Sequence, residues 1–204
     1  ELARGPQVLD VGCGDGSLTK VLAEHFENVF GVDCSREKIR LAKETVPRGE
    51  FHESLFEEFE TRDRFDSIIM INFLEHVEDP ILCFEKARNL LKPEGRVIVF
   101  VPNALSLNRR IGKLMGLIES CYELTSKDLS VGHKRFYDRC SLIRDIEKSS
   151  LCIIEIGGIF LKPLSNKQME SWDEAIFDAL YEISGELPDY CGLIYASAGV
   201  IQDD

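Results

Sequence analysis

The chain has 204 residues and a formal net charge of −12, and apolar residues make up 44% of it. This length is enough for one α/β domain with a full core and too short for two comfortable ones. The acidic balance argues against a nucleic-acid partner, because phosphate contacts need a basic face. No apolar run in the sequence reaches the length of a membrane span. We therefore expect a cytoplasmic domain that acts on small molecules rather than on nucleic acid or membranes.

The cysteines and the first residues of the sequence also favour a cytoplasmic location. Seven cysteines are scattered along the chain, and no two of them form a C-x-x-C pair. That pattern fits a reducing environment and predicts no structural zinc site, so no metal is expected. The opening "ELARGPQ" leads directly into a predicted strand, so no signal peptide is expected either.

Hydrophobic periodicity predicts strands that alternate with helices. The predicted strands cover residues 7–11, 28–33, 49–54, 65–72, 96–102, about 152–161 and about 192–200. The predicted helices cover about 17–26, a stretch capped by Ser35, about 80–91 and about 141–149. Helices between successive strands imply right-handed crossovers and a parallel sheet that is covered on both faces. The pattern indicates one domain over residues 1–204.

Two segments depart from this alternation, at about 103–139 and 165–186. The first holds a helical piece and a glycine-punctuated loop. The second is predicted to be helical, with apolar residues on one face: Met169, Trp172, Ile176, Phe177 and Leu180. We expect both to be insertions over the sheet edge that form a substrate lid. The apolar face could instead belong to the core or to a homodimer contact.

The stretch "VLDVGCGDGSL" predicts a strand, a tight turn and the start of a helix. Glycines at 12, 14 and 16 allow a ligand to lie against bare main chain, and the following helix presents unpaired N–H groups to it. Asp33 lies 19 residues after Gly14, at the end of the second predicted strand. Its carboxylate is placed to accept hydrogen bonds from both hydroxyls of a ribose. A nucleotide-like ligand is therefore expected here.

Two kinds of cofactor could use such a turn. Nicotinamide dinucleotides usually bind at G-x-G-x-x-G, whereas Ser17 stands here at the third glycine position. Asp10 and Asp15 flank the turn and would repel a pyrophosphate, but they tolerate a cationic amino-acid group. The pattern therefore favours a cofactor that carries a cationic amino-acid group over a nicotinamide dinucleotide. An NAD(P)-dependent oxidoreductase and a catalytically silent cofactor-binding domain stay open as alternatives.

Four segments in order, "VLDVGCGDGSLTKVLA", "VFGVD", "FDSIIMINFLEHVEDP" and "LKPEGRVIVFVPN", resemble the class I S-adenosylmethionine-dependent methyltransferases of the small-molecule branch. The resemblance covers roughly residues 7–103. It implies a Rossmann-like, seven-stranded, mostly parallel sheet with helices on both faces and an antiparallel last strand. Such enzymes commonly carry a helix before the first strand. Only about six residues precede that strand here, so this closing element is expected to be missing, truncated or built from elsewhere.

The resemblance also implies a set of S-adenosylmethionine contacts. They are Asp10, Gly12, Cys13 and Gly14 at the methionine end, Asp33 at the ribose, Cys34, Ser54, Leu55 and Phe56 at the adenine, and Asn72 at the methionine ammonium.

Methyl transfer to oxygen or nitrogen needs a proton acceptor near the acceptor atom. His133, in "VGHKRFY", follows the fifth predicted strand, where loops reach the open end of the sheet. His76, in "FLEHVED", follows the fourth strand and could border the methyl group. We take both as candidate catalytic residues, with a structural role as the alternative for each.

The segment 103–139 carries seven basic and four acidic side chains in an otherwise acidic chain. This contrast suggests an anionic small-molecule acceptor, such as a phosphorylated or nucleotide-linked sugar, bound by Arg109 and Arg135. The alternative is that these side chains form the solvated face of a helix. The end of the fourth strand reads "NFLEH", which lacks the residues that clamp a flipped base, so nucleic-acid methylation is disfavoured.

Overall fold

The computed structural model describes residues 2–200, and within that range seven strands form a single sheet. The strands are β1 (Gln7–Val11), β2 (Asn28–Asp33), β3 (Glu50–Glu53), β4 (Phe65–Ile71), β5 (Leu91–Pro102), β6 (Cys152–Ile159) and β7 (Leu193–Gly199). They lie in the order β3-β2-β1-β4-β5-β7-β6. The first five strands pair in parallel, and β7 runs antiparallel to both β5 and β6. The predicted Rossmann-like sheet with an antiparallel last strand is confirmed.

Short polar caps start most of the helices. The helices are α1 (Ser17–Leu22), α2 (Arg36–Thr45), α3 (Pro80–Leu90), α4 (Leu107–Leu114), α5 (Ser126–Ser130), α6 (Arg139–Lys148), α7 (Asn166–Met169) and α8 (Glu174–Glu182). The Ser35 hydroxyl accepts from the Lys38 N–H at the start of α2, as predicted. The Asp79 carboxylate accepts from two N–H groups at the start of α3, where Pro80 has no N–H that needs an acceptor. These caps determine where the helices of the crossover connections begin.

The core lies in two layers, one on each face of the sheet. Alternation along β1 sends Val8 to one layer and Leu9 to the other, and both are fully buried. The apolar faces of α1 and α2 cover the first layer, with Ile39 and Ala42 buried there. The faces of α3 and α6 cover the second layer, where Phe84 is fully buried. Helices therefore flank both faces, as the alternating pattern predicts.

Several element boundaries differ from the sequence prediction. The first helix ends at Leu22 rather than near residue 26, and β5 begins at Leu91 directly after α3. The helix predicted over 165–186 is divided into α7, α8 and short 3-10 turns. It breaks because the Asp173 carboxylate accepts from the Ala175 N–H and starts a new helix. As a result the predicted apolar face is not continuous, since Met169 is buried but Ile176 is exposed.

None of the helices found between residues 2 and 200 is long and apolar enough to cross a membrane.

Candidate functional site

The turn after β1 is shaped by glycines in the left-handed region of backbone space. Gly12 has φ +73° and Gly16 has φ +83°. A Cβ on Gly12 would lie 2.9 Å from Cδ2 of Phe73, and one on Gly16 would lie 2.9 Å from the backbone Cα of Ala42. A side chain at either position would therefore meet both an unfavourable φ and an occupied space. The sequence needs glycine here so that the chain can turn tightly at the carboxyl end of β1.

Asp33 stands at the end of β2, and its carboxylate faces the glycine turn. One oxygen accepts from the Gly14 N–H at 3.0 Å, and the other accepts from the Ser35 N–H at 2.8 Å. Each carboxylate oxygen has two acceptor sites, so one on each oxygen is left for a ligand. Two hydrogen bonds to the backbone hold the carboxylate in place. The group can therefore receive a pair of neighbouring hydroxyls without moving.

A cavity of about 620 Å³ opens at the carboxyl edge of the parallel strands. Its volume falls in the range typical of small-molecule sites. It lies where the strand order reverses between β1 and β4, the usual ligand position in open α/β sheets. The lining includes these predicted residues: Gly12, Asp33, Cys34, Ser54, Leu55, Phe56, Asn72 and His76. The structure thus brings most of the predicted cofactor contacts, and one predicted catalytic residue, to one cavity.

Three predicted contacts at the methionine end do not lie in the cavity lining. The Asp10 carboxylate is buried and accepts from the Thr19 hydroxyl at 2.6 Å, and burial raises its pKa to about 6. The Cys13 side chain is also buried, close to Gly31, and burial raises the pKa of its thiol. The Gly14 N–H is already bonded to Asp33. The side chains of Asp10 and Cys13 are thus buried within the protein and do not line the cavity.

Asn72 takes a strained backbone conformation directly after β4. Its φ is +50°, a region that asparagine tolerates better than most residues. Its N–H donates to the Phe100 carbonyl at 3.0 Å, which ties the turn to β5. Such strain persists when the surrounding structure holds it, and it is common at functional sites. The geometry brings the Asn72 side chain into the cavity lining.

Several lining residues were missed by the sequence analysis. They are Val32, Ser35, Lys38, Glu57, Phe73, Val77, Glu78, Val131 and Lys134. Lys38 follows the Ser35 cap by three residues, so its place on the first turn of α2 was a usable signal. The Phe73 ring packs edge-on to Phe56 with centroids 6.0 Å apart. This contact depends on tertiary packing, so no local sequence pattern predicts it.

His76 and His133 lie together at one end of the cavity. Their ring centroids are 4.9 Å apart in an edge-to-face arrangement, although only His76 lines the cavity itself. The Lys134 N–H donates to the Glu75 carbonyl at 2.7 Å and joins the loop of His133 to the turn of His76. The two candidate catalytic histidines, 57 positions apart in the sequence, are therefore brought into contact.

Glu75 completes this cluster and was also missed. Its side chain is 0% exposed, and neither of its carboxylate oxygens has a hydrogen-bond partner among residues 2–200. Nδ1 of His133 is likewise buried and without a partner in that range. Burial raises the pKa of Glu75 to about 7, while burial and the neighbouring His76 lower the pKa of His133. A glutamate before a histidine on a polar turn looks solvated in sequence, so nothing local signals its burial.

Arg109 and Arg135, the predicted substrate contacts, have structural partners instead. The Arg109 guanidinium donates to the carbonyls of Cys121 and Glu123, and it stacks on the Phe136 ring at 3.9 Å from the centroid. Arg135 donates to the Glu78 carbonyl at 3.0 Å. Neither arginine lines the cavity. Both arginines therefore have partners within the chain and lie outside the cavity lining, and a contact of either with the substrate stays a prediction.

The two predicted insertions differ in their relation to the cavity. Segment 103–139 contributes Val131 and Lys134 to the lining. Segment 165–186 contributes none of its residues and packs beside β6, where the Leu161 N–H donates to the Leu180 carbonyl at 3.1 Å. A lid role for the first segment stays a prediction, and the second lies away from the cavity.

The glycine turn, the carboxylate that ends β2 and the cavity at the strand reversal define a class: an α/β protein with a nucleoside-binding site. A family profile described as "Methyltransferase domain" matches residues 1–156. The ubiquinone biosynthesis O-methyltransferase of Coxiella burnetii is 31% identical over 169 residues, which cover 80% of this chain and 71% of that protein. The same enzyme of Aeromonas salmonicida is 28% identical over 172 residues, which cover 80% of this chain and 70% of that protein.

Solved structures show the same fold. An S-adenosylmethionine-dependent methyltransferase from Mesorhizobium loti superposes with a TM-score of 0.67 at 17% identity, covering 97% of this chain and 92% of the other. N-methyltransferase NodS from Bradyrhizobium japonicum, solved with S-adenosyl-L-homocysteine, gives 0.62 at 14% identity, covering 96% and 78%. The chain belongs to the methyltransferase-domain family and is a class I S-adenosylmethionine-dependent methyltransferase. The oxidoreductase alternative receives no support.

Proposed function

We propose that this enzyme uses S-adenosylmethionine to methylate an oxygen of a small-molecule acceptor that binds beside His76. The observation that carries the proposal is the single cavity that extends from the Asp33 carboxylate to His76. The similar ubiquinone biosynthesis enzymes are named as O-methyltransferases, which supports oxygen as the methylated atom.

The cofactor fits the residues along this cavity. Asp33 offers two fixed acceptor oxygens to the ribose hydroxyls. Leu55 and Phe56 supply apolar surface for the adenine, next to Cys34 and Ser54. Asn72 lies across the cavity near Gly12, at the end of β4, where its amide oxygen can accept from the methionine ammonium. We propose that the nucleoside lies over β2 and that the amino-acid part extends towards β1 and β4.

The protein has little covalent chemistry to perform. The bound cofactor would supply a sulfonium methyl group: the acceptor oxygen would bond to the methyl carbon as the carbon–sulfur bond breaks, the electron pair would stay on sulfur, and the hydroxyl proton would pass to His76 or to solvent. The chain aligns the acceptor and excludes water, which is the larger part of such catalysis. Phe56, Phe73 and Val77 provide the apolar wall for this purpose. His76, with His133 and Glu75 behind it, is the polar group at the acceptor end.

An anionic acceptor is not part of the proposal. Arg109 and Arg135 bond to backbone carbonyls and do not line the cavity, so these two arginines bring no positive charge to it. The lysines that line it are Lys38 and Lys134, and the latter pairs with Glu78. We propose that segment 103–139, through Val131 and Lys134, closes the acceptor side of the cavity.

Calorimetric titration tests the cofactor half of the proposal. We expect the protein to bind S-adenosylhomocysteine and not NADH. The Asp33→Asn substitution removes a charged acceptor and should weaken that binding by about 10- to 100-fold. Asp63→Asn, on an exposed loop, is the matched control and should leave the affinity unchanged. Binding of NADH without binding of the homocysteine would contradict the assignment.

Turnover measurements test the second part of the proposal, that the enzyme methylates an oxygen of the acceptor. Methyl transfer should be measured on a panel of hydroxyl compounds with their amine analogues as controls. We expect transfer to hydroxyls. Transfer to the amines alone would contradict oxygen as the target, and tight cofactor binding with no transfer to any acceptor would favour a catalytically silent domain.

A further inference from the structure

We propose that segment 103–139 carries a second ligand site, separate from the cofactor cavity, that binds a small amphiphilic carboxylate. The site is a cavity of about 350 Å³ between helix α4 and the loop at residues 120–122. This volume lies at the lower end of the range for small-molecule sites, so the cavity suits a small molecule rather than a whole lipid. The residues that carry the argument are Leu105, Arg110, Lys113, Leu114, Cys121 and Tyr122.

The second cavity shares no lining residue with the cofactor cavity. Arg109 connects the two regions, because its guanidinium donates to the Cys121 carbonyl and stacks on the Phe136 ring at 3.9 Å from the centroid. The Phe136 ring contacts His133, with centroids 5.7 Å apart, and His133 in turn contacts His76 at the end of the cofactor cavity. Since no lining residue is shared, both cavities can be occupied at once.

Two cationic side chains line the second cavity, and no acidic residue does. The Arg110 Nε donates to the Leu105 carbonyl at 2.7 Å, and the guanidinium lies over the Tyr190 ring, 4.9 Å from its centroid. These contacts orient the guanidinium and leave Nη1 and Nη2 without an acceptor among residues 2–200. Lys113 is exposed and forms no ion pair in that part of the chain. In a protein with a net charge of −12, two unpaired cations in one cavity indicate an anionic ligand.

The acidic groups near this cavity already accept hydrogen bonds from other residues. The Glu123 carboxylate accepts from the Glu119 N–H at 2.6 Å. The Asp138 carboxylate accepts from the Tyr122 hydroxyl and from the Ser141 N–H. None of these carboxylates lines the cavity, so the two cations there keep their charge available for a ligand.

The rest of the lining is largely apolar, and part of it is exposed to solvent. Leu114 lines the cavity although its side chain is 88% exposed, and Tyr122 is 46% exposed. An apolar group placed over these two side chains would remove that surface from water, which favours binding. A head group with a single charge suits such a lining, because each further charge adds a desolvation cost. The two terminal nitrogens of Arg110 match the two oxygens of a carboxylate.

A ligand in this cavity would also steady segment 103–139. It would contact α4 and the loop at 120–122 together, and α4 has no buried residue of its own. Because a ligand that binds only the closed arrangement raises the free energy of local opening, hydrogen exchange of residues 107–122 should become slower.

Decanoate is the probe, and calorimetry measures its binding to the full chain with and without S-adenosylhomocysteine. We expect one site with a dissociation constant of about 2 mM or below, as typical efficiencies for a ligand of this size give. The constant should be the same in both titrations. Decanamide, which has the same chain and no charge, should bind at least about 10-fold more weakly.

Two substitutions locate the probe at exposed positions where folding should be unaffected, which circular dichroism checks. Lys113→Glu should weaken decanoate binding by about 10-fold or more, and Leu114→Asn by about 3-fold or more. Lys43→Glu is the matched control, because it makes the same charge change in the last turn of another helix, α2. It should bind decanoate as the parent does. Saturating decanoate should slow hydrogen exchange at residues 107–122 in the parent.

Several results would overturn the proposal. One is a dissociation constant above about 2 mM, and another is competition between decanoate and S-adenosylhomocysteine, which would place the probe in the cofactor cavity. Equal weakening by Lys113→Glu and Lys43→Glu would show an effect of overall charge alone. Lys113-dependent sedimentation with phosphatidylglycerol vesicles, without decanoate binding, would assign the surface to a bilayer. A dimer of the parent that Leu114→Asn dissociates would assign it to a second copy of the chain. S-adenosylhomocysteine binding by the parent alone tests the proposed function separately.

Discussion

The two sides of the cavity are built by different means. On the cofactor side, the glycine turn and Asp33 are held by hydrogen bonds of the main chain and by close backbone packing. On the acceptor side lies the segment 103–139, which we name the cap segment. Its helices α4 and α5 are short, and neither has a buried residue. A binding site formed by main-chain groups can therefore be specified by a short sequence motif. A site formed by long side chains from distant segments depends on the whole fold.

The cap segment depends on arginine for its shape. Arg109 joins three parts of it through the carbonyls of Cys121 and Glu123 and the ring of Phe136. Meanwhile Leu114, at 88% exposed, stands in solvent. Because α4 and α5 have no buried residue, they are expected to open locally at a lower free energy than the sheet does. The cofactor side should therefore be rigid and the cap segment adaptable, and four substitutions test that contrast.

The largest effect is expected from a methyl group on the glycine turn. Gly16→Ala meets both φ +83° and the backbone of Ala42, and should lower the free energy of unfolding by about 3 kcal/mol or more. Gly116→Ala is a matched control in the cap segment, with φ +71° but no atom within 4 Å of the added Cβ. It should cost only about 1 kcal/mol. Denaturant titration measures both, and equal losses would show that the turn is not more tightly packed than the cap.

The second prediction concerns Asp10, whose pKa of about 6 lies above its ordinary value of 3.8. Between those pH values the folded state holds the proton and the unfolded state does not, so stability falls as the pH rises from about 4 to about 6. At neutral pH the loss from this group amounts to about 3 kcal/mol. Asp10→Asn removes the charge and can still accept from Thr19.

We therefore expect Asp10→Asn to match the parent near pH 4 and to exceed its free energy of unfolding at pH 7.5. Unfolding curves at both pH values check this difference. A variant that is destabilised equally at both would mean that Asp10 is stabilising in its charged form.

The third prediction tests the cap segment itself. Arg109→Met keeps much of the apolar stem but loses the two carbonyl contacts and the stacking on Phe136, and should cost about 2 kcal/mol. Hydrogen exchange should speed up around residues 117–136 and stay unchanged in β1 and β2. Affinity for S-adenosylhomocysteine should be the same as in the parent. Faster exchange at the glycine turn would show that the two sides are not independent.

The smallest effect is expected from Lys134→Met. Its ion pair with Glu78 lies at the surface, where such pairs contribute at most a few tenths of a kcal/mol to 1 kcal/mol. We expect a change in unfolding free energy below about 0.5 kcal/mol by thermal denaturation, with a shift in the Michaelis constant for the acceptor. A loss above 2 kcal/mol would mean that the cap segment is anchored here rather than at Arg109.

Much of the architecture was predictable because local rules decide it. Period-2 and period-3.6 patterns, the Ser35 cap and the glycines at 12 and 16 locate the strands, a helix start and the ligand edge. The resemblance added the antiparallel last strand. The broken helix at 166–182 was not predictable from its apolar spacing, because one carboxylate, Asp173, decides the break.

The candidate site likewise contains residues that local sequence patterns predict and residues that they do not. Asp33 and Asn72 follow strand ends, so their position at the cavity edge could be read from the sequence. Glu75 could not be identified, because its burial results from a loop nearly sixty residues away folding over it. The role of the basic residues in the cap segment could not be read from the sequence for a related reason: charge alone does not say whether Arg109 binds a ligand or a carbonyl of its own chain.

The position of β7 between β5 and β6 has a consequence for the order in which the chain can fold during synthesis. Within residues 2–200, strand β6 has no neighbour in the sheet other than β7, so it has no strand partner until residues 193–199 have left the ribosome. The five parallel strands can associate earlier, while β5 presents an open edge. Strand β7 therefore closes that edge and pairs with β6 in one step, which makes the nascent chain most prone to aggregation just before β7 emerges.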